Sequence, residues 1–154
     1  MNLYKSVLHN TNNTLSKWYL EALGVYVSFL NGCDYCVAHH FEGLKRLLKD
    51  DAQASSFFMA VQKDTLNDHF DTKQFQGMAY AKKLTLQLAH ITQDDVENLK
   101  AVGYTEGEIL EINQVCSYFN YVNRSVLGLG VTTHGDILGL SPNESDDPDN
   151  WTHS

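Results

Sequence analysis

The sequence is poor in the residues that break helices, having only two prolines and ten glycines among 154 residues. That is little material for the tight turns of an all-β fold. Basic residues are also scarce, since 11 lysines and arginines face 19 aspartates and glutamates, for a formal net charge of −8. The acidic balance disfavours nucleic acid and anionic membranes as partners, because both are themselves negative.

Long apolar runs are missing as well. No stretch of about 18 or more apolar residues occurs, so the sequence predicts no membrane-spanning helix. Residues 1–6 lack the charged and apolar regions of a signal peptide. Three cysteines are too few, and an odd number, for a secreted disulfide scaffold. We therefore predict a cytoplasmic protein, in which a close cysteine pair has a chemical rather than a structural role.

The apolar residues recur with helical spacing almost throughout, and no βαβ pattern is present. The predicted helices cover residues 16–30, 33–49, 52–63, 74–90 and 92–103, and a long one starts after Thr105, whereas residues 65–71 read as a loop. The fold class predicted is all-α. Residues 1–140 are expected to form one domain, and residues 141–154 an acidic tail that is extended or disordered.

Two of these helices are expected to supply much of the core. Thr105 and Glu108 have the spacing of a capping box, which starts the last helix. Its wide apolar face predicts a central position in the fold. In the segment 74–90, the side chains expected in the core are Phe75, Met78, Ala79, Leu84 and Leu88.

Function is indicated mainly by residues 21–40. Cys33 and Cys36 form a C-x-x-C pair, His40 follows the second cysteine by four residues, and Glu21 precedes the first by twelve. On a helix, His40 lies about 20° around the axis from Cys33 and about 40° from Cys36, whereas His39 points away from this stripe. One sulfur could attack a substrate and the other resolve the product, with acid and base groups nearby to move protons.

The position of the pair at a predicted helix start favours thiolate over thiol. His40 is the candidate base for the thiol proton, and Glu21 can set the charge of His40 or relay its proton if the two helices pack antiparallel. Zinc is the main alternative use of Cys33, Cys36 and His40, but a structural zinc site needs four ligands and no fourth stands at suitable spacing. No metal or cofactor is therefore predicted.

The other candidate groups receive no functional role. Cys116 lies alone on an apolar helix face and is interpreted as a small core residue. Four other histidines have no partner at a meaningful spacing, and several aromatic side chains are interpreted as core or pocket wall. These residues are His39, His69, His90 and His134, and Trp18, Tyr19, Tyr26, Phe29 and Tyr35.

The spacing of Glu21, Cys33, Cys36 and His40 resembles the active-site signature of the alkylhydroperoxidase AhpD-like / carboxymuconolactone decarboxylase family. Residues 118–124, Y-F-N-Y-V-N-R, and the following residues 127–131 are similar to the end of its peroxidase-related branch. The resemblance extends from about Leu15 to Val131. It implies a compact AhpD-like helical bundle that assembles as a homo-oligomer.

The resemblance also implies a mechanism. Cys36 is expected to attack a hydroperoxide and pass through a sulfenic acid, and Cys33 to donate a proton and then form the disulfide. His40 and Glu21 complete the proton relay. A dithiol reductant, either a lipoyl group or a thioredoxin-like protein, is the expected partner that regenerates the thiols.

The leading hypothesis is thus a thiol-dependent peroxidase that reduces hydroperoxides. One alternative is a thiol-disulfide oxidoreductase acting on another thiol substrate. The other is a non-enzymatic helical protein whose C-x-x-C pair senses redox state or binds a metal. Decarboxylation is disfavoured, because it has no evident use for two neighbouring thiols.

Overall fold

A computed structural model of the chain describes residues 2–139 and contains no β-strand within that range. Its α-helices are α1 (Asn2–Leu8), α2 (Lys17–Leu30), α3 (Asp34–Leu48), α4 (Asp51–Lys63), α5 (Thr72–Leu86), α6 (Gln93–Ala101) and α7 (Glu106–Gly128). Two short 3₁₀ helices, Leu66–Asp68 and Leu88–His90, flank α5. The predicted all-α fold is confirmed.

Helix α2 forms the centre of the bundle. Every residue from Tyr19 to Ser28 is buried, which suits a helix that is apolar on almost all sides. Helices α1, α3, α5 and α7 all pack against it. Helix α7 is the second central element, because it contacts α1, α2, α3, α5 and α6.

Local side-chain bonds fix where several helices begin. Asp50 and Asp71 each accept a hydrogen bond from the backbone N–H three residues on, at the starts of α4 and α5. Thr105 and Glu108 form the predicted capping box at the start of α7, so two backbone N–H groups that the helix leaves unpaired are satisfied.

Several element boundaries differ from the predictions. Helix α1 was not predicted, since seven residues carry too weak a periodic signal. Helix α5 ends at Leu86 rather than His90, and Leu88, expected in the core, is 67% exposed. The predicted loop 65–71 contains a 3₁₀ turn that buries Leu66. The predicted acidic tail, residues 141–154, lies outside the described residues.

Within residues 2–139, no helix is both long enough and apolar enough to cross a bilayer.

Candidate active site

The candidate site is built on the turn between α2 and α3. The backbone N–H of Gly32 donates to the Phe29 carbonyl, and that of Cys33 to the Ser28 carbonyl. Gly32 has φ +67°, a left-handed conformation that glycine adopts without the steric cost of a side chain. The chain therefore reverses within three residues, and α3 packs back along α2 as the second arm of a hairpin.

Cys33 and Cys36 are joined by a disulfide at the start of α3. Cys33 is the N-cap residue, and Cys36 lies in the first helical turn. Their Cα atoms are 5.4 Å apart, within the usual range for a disulfide. Cys33 has no exposed surface and Cys36 has 2%, so only a small or slender reagent can reach the sulfurs without the fold opening.

Glu21 of α2 and His40 of α3 face each other across this hairpin. Glu21 Oε1 lies 2.6 Å from His40 Nδ1, a short hydrogen bond, and the Glu21 side chain is only 5% exposed. When Nδ1 carries the proton and donates it to the carboxylate, Nε2 is left as the proton-accepting nitrogen. The hairpin thus pairs a buried carboxylate with a histidine one helical turn beyond Cys36.

Gly43 provides the space for the Glu21 carboxylate. A Cβ atom at this position would lie 2.9 Å from Glu21 Oε1, the oxygen bonded to His40. A residue with a side chain would therefore displace the carboxylate. Sequence reasoning did not select Gly43, because nothing within α3 shows which residue of α2 it faces.

Aromatic side chains from distant parts of the chain enclose the Glu21–His40 pair. The Phe119 ring lies edge-on to His40, with centroids 4.5 Å apart, and the Tyr4 ring is 5.9 Å away. Burial and the negative charge of Glu21 raise the pKa of Tyr118 to about 12, and the same two causes, in the same order, raise the pKa of Tyr4. Both phenols therefore stay protonated near the carboxylate.

His39 is placed differently from His40. Its Nε2 lies 3.2 Å from Asp136 Oδ2, and its ring stacks obliquely on Tyr35 with centroids 4.5 Å apart. Arg46, farther along α3, donates to the carbonyls of Leu138 and Gly139. The segment after α7 is thus held along α3, and His39, expected to have no partner, has one.

Cys116 is buried on α7, as predicted for a core residue. Its sulfur lies 3.3 Å from Thr85 Oγ1 and 3.5 Å from Asn120 Nδ2. Burial raises the pKa of its thiol, and these two hydrogen bonds offset only part of the rise. Cys116 therefore remains a thiol rather than a reactive thiolate.

No group of three or more His, Cys, Asp or Glu side chains within residues 2–139 is arranged to hold a metal ion.

Fold and site together define the class: an all-α protein with a buried C-x-x-C disulfide beside a glutamate–histidine pair. Among solved structures it is similar to an uncharacterized peroxidase-related protein from Silicibacter sp. TM1040, with a TM-score of 0.75 and 26% identity over 85% of this chain. An uncharacterized peroxidase-related protein from Ralstonia eutropha JMP134, described as an alkylhydroperoxidase AhpD core, has a TM-score of 0.72 and 22% identity over 93% of this chain.

These structures confirm the predicted resemblance to an AhpD-like, peroxidase-related family and the AhpD-like helical fold. The chain spans about two thirds of each neighbour's length, 66% and 68% respectively. No protein-family model matches the chain, and no curated protein matches it.

Proposed function

We propose that the protein is a thiol-dependent peroxidase that reduces hydroperoxides through Cys33 and Cys36. The observation that carries the proposal is the buried 2.6 Å Glu21–His40 bond on the same helical hairpin as the Cys33–Cys36 disulfide. A peroxidase of this kind needs two sulfurs that can be oxidised together and an acid–base pair that moves their protons.

Oxidation begins at Cys36 in the first turn of α3, which has no side-chain cap and where the helix dipole favours a thiolate. The thiolate attacks one peroxide oxygen, the O–O bond breaks, and Cys36 becomes a sulfenic acid. The departing alkoxide takes the proton of the Cys33 thiol and leaves as an alcohol. His40, oriented by Glu21, accepts the Cys36 thiol proton before the attack.

Resolution follows at Cys33. Its thiolate attacks the Cys36 sulfur, the S–S bond forms and the S–O bond breaks. The hydroxide that leaves takes the proton held by His40 and becomes water. Two electrons have passed from two thiols to one hydroperoxide, which yields one alcohol and one water.

Burial of the sulfurs favours a hydroperoxide over a protein disulfide as oxidant. With Cys33 unexposed and Cys36 2% exposed, a folded protein substrate cannot place its own disulfide in line with Cys36. The same constraint applies to the reductant, so a slender dithiol such as a lipoyl group fits better than the rigid surface of a thioredoxin-like protein. No resident cofactor takes part in these steps.

We further propose a cytoplasmic homo-oligomer with one AhpD-like domain over residues 1–140. The support for self-association is a set of exposed apolar side chains at and beyond the end of α7: Tyr121, Leu127, Leu129, Val131 and Ile137. Light scattering during size-exclusion chromatography tests this directly, and a monomer at micromolar concentration would contradict it.

The activity is tested by following peroxide consumption in the presence of a dithiol reductant. Wild type should turn over, Cys36→Ser should be inactive, and Cys33→Ser should accumulate a sulfenic acid that a trapping reagent labels at Cys36. Glu21→Gln keeps the size of the side chain but removes its charge, and should slow turnover by about 10²-fold.

A matched control is Glu111→Gln on α7. Glu111 likewise accepts hydrogen bonds, three of them from Thr14 and Leu15, but it lies on α7 and not on the hairpin of α2 and α3. The Glu111→Gln variant should consume peroxide at the wild-type rate. A wild-type protein that consumes no peroxide with any dithiol would refute the peroxidase.

A further inference from the structure

A cluster of three asparagines connects the turn before Cys33 to α7. We propose that this asparagine cluster, Asn31, Asn120 and Asn123, positions the turn so that Cys33 stays within bonding reach of Cys36 in both redox states. The proposal rests on the proposed function in treating Cys33 as the resolving thiol.

The cluster joins the turn to α7 through side-chain hydrogen bonds. Asn31, the C-cap residue of α2, donates from Nδ2 to Asn120 Oδ1 at 3.1 Å and to Asn123 Oδ1 at 2.9 Å. Only Gly32 separates Asn31 from Cys33. One amide group therefore ties the backbone next to the first cysteine to two positions on another helix.

Ser28 closes a second connection to Cys33. Asn123 Nδ2 donates to Ser28 Oγ at 3.0 Å, and the Ser28 carbonyl accepts the backbone N–H of Cys33 at 2.9 Å. The turn is thus held on both sides. The Asn31 side chain holds one side, and Ser28, whose carbonyl accepts the Cys33 N–H, holds the other.

The cluster is also anchored away from the turn. Asn120 Nδ2 donates to Thr85 Oγ1 of α5 at 3.1 Å and to the Cys116 carbonyl at 3.0 Å. Arg124 Nη1 donates to Asn120 Oδ1 at 2.9 Å. Two helices and a guanidinium therefore fix the groups that hold Asn31.

The burial of Asn123 indicates that the cluster has a purpose beyond filling space. Asn123 has no exposed surface, and an amide buried without partners is costly. Each buried side-chain nitrogen and oxygen of residues 2–139 has a hydrogen-bond partner, so that cost is offset here. If position 123 only had to fill space in the core, an apolar residue would serve equally well there.

The physical consequence concerns the equilibrium between dithiol and disulfide. A turn that is already fixed in the dithiol keeps Cys33 near Cys36, so closing the S–S bond orders little additional chain. If the turn is loosened, the backbone around Cys33 gains conformational entropy in the dithiol form, whereas the S–S bond still restrains it in the disulfide form. The disulfide then becomes less favourable relative to the dithiol.

A purely structural role would behave differently. The change that a substitution makes in the disulfide equilibrium equals the difference between its effects on the stability of the oxidised and the reduced protein. A cluster that only stabilised the fold would affect both forms equally. The redox equilibrium would then not move, however much the melting temperature fell.

The test titrates the full chain in dithiothreitol redox buffers of graded potential, followed by denaturation, thiol alkylation and mass measurement. Of the three cysteines, the oxidised protein exposes one thiol and the reduced protein all three. The variants are Asn31→Ala and Asn123→Ala. The control is Asn113→Ala, which removes the same side chain from the same helix, where it donates to Tyr80 Oη at 3.0 Å.

Both cluster variants should form the disulfide about tenfold less favourably, the effect of one or two ordinary hydrogen bonds, which is about 30 mV for this two-electron couple. Asn113→Ala should change the equilibrium by less than about twofold on the same scale. If Asn123→Ala does not fold, the test uses Asn31→Ala alone, because Asn31 is only half-buried and its loss should disturb the core less.

The proposal is overturned if the cluster variants titrate like wild type, or if Asn113→Ala shifts as far as they do. The titration contains no peroxide, so its outcome is independent of the proposed function. A protein without peroxidase activity could still show the shift, and an active one could lack it.

Discussion

Gly43 of α3 illustrates how a single residue without a side chain can determine the geometry of the site. Gly43→Ala places a methyl group 2.9 Å from Glu21 Oε1, so the carboxylate must move away from His40. A displacement of about 1 Å at a reacting group costs about 10²-fold in rate. We expect peroxide turnover to fall by about that factor.

Stability should not fall in parallel. Alanine is favoured over glycine inside a helix by about 1 kcal/mol, and the displaced group is the end of a flexible side chain. Weakening the buried Glu21–His40 hydrogen bond opposes this gain, since a buried polar group without its partner costs about 1–3 kcal/mol. The melting temperature, measured by circular dichroism, should therefore fall by only a few degrees. Gly128→Ala is the control, since a Cβ atom there meets nothing within 4 Å. Equal activity in both variants would mean that the Glu21 position does not matter for turnover.

At the scale of elements, Gly24 sets how closely α2 and α7 approach. A Cβ atom at Gly24 would overlap the ring of Phe119, which has no exposed surface and packs against His40. Gly24→Ala should destabilise the protein by about 1–3 kcal/mol, because an added methyl group in a filled core forces the helices apart.

Urea denaturation measures this change. Gly107→Ala is the comparison, because its Cβ atom would meet only Thr105 Oγ1 at 3.9 Å and so tests the residue change without the overlap. A Gly24→Ala protein as stable as Gly107→Ala would show that α2 and α7 can separate at no cost.

The first turn of α7 should make stability sensitive to acid. Burial of the Glu108 carboxyl opposes its ionised form, but hydrogen bonds from the Thr105 backbone and the Lys73 ammonium outweigh this and lower its pKa. Because the folded-state pKa is below the unfolded one, the stabilisation is present above about pH 4.3 and is lost as the pH falls through the folded-state pKa.

Glu108→Gln isolates this contribution, since glutamine preserves a capping box but loses the ionic bond to Lys73, 3.0 Å away. In urea denaturation the variant should be less stable than wild type at pH 7, and the difference should be smaller at pH 3. A difference of the same size at both pH values would exclude the ionised carboxylate as its cause.

At the scale of the whole molecule, the residues that could be predicted are those whose partners are fixed by helical spacing. The helical angle alone favours His40 over His39, and an antiparallel hairpin places His40 beside Glu21, where the structure shows a 2.6 Å hydrogen bond. The Thr105–Glu108 capping box is local. Three or four residues of sequence suffice for the capping box, whereas Glu21 and His40 are 19 residues apart and meet because the short turn between α2 and α3 makes the two helices antiparallel.

Contacts between distant segments could not be predicted in this way. Asn123 meets Asn31 across 92 residues and His39 meets Asp136 across 97, and no periodicity specifies which faces of two helices meet. The predicted end of α5 was wrong for a related reason. Leu84 and Leu88 keep the helical spacing, yet the chain leaves the α-helix after Leu86 and exposes Leu88.

The redox state of the cysteine pair should alter the stability of the entire bundle. Closing so short a loop removes chain entropy from the unfolded state equivalent to about 2 kcal/mol, which is about 4–8 °C in melting temperature for a chain of this size. Calorimetry of the oxidised and reduced protein should show that difference, and Cys33→Ser should melt at one temperature with or without reductant. A reduced form that melts higher would mean that the fold disfavours its own disulfide, as in proteins that oxidise other thiols. Such a result would support the thiol-disulfide oxidoreductase over the peroxidase.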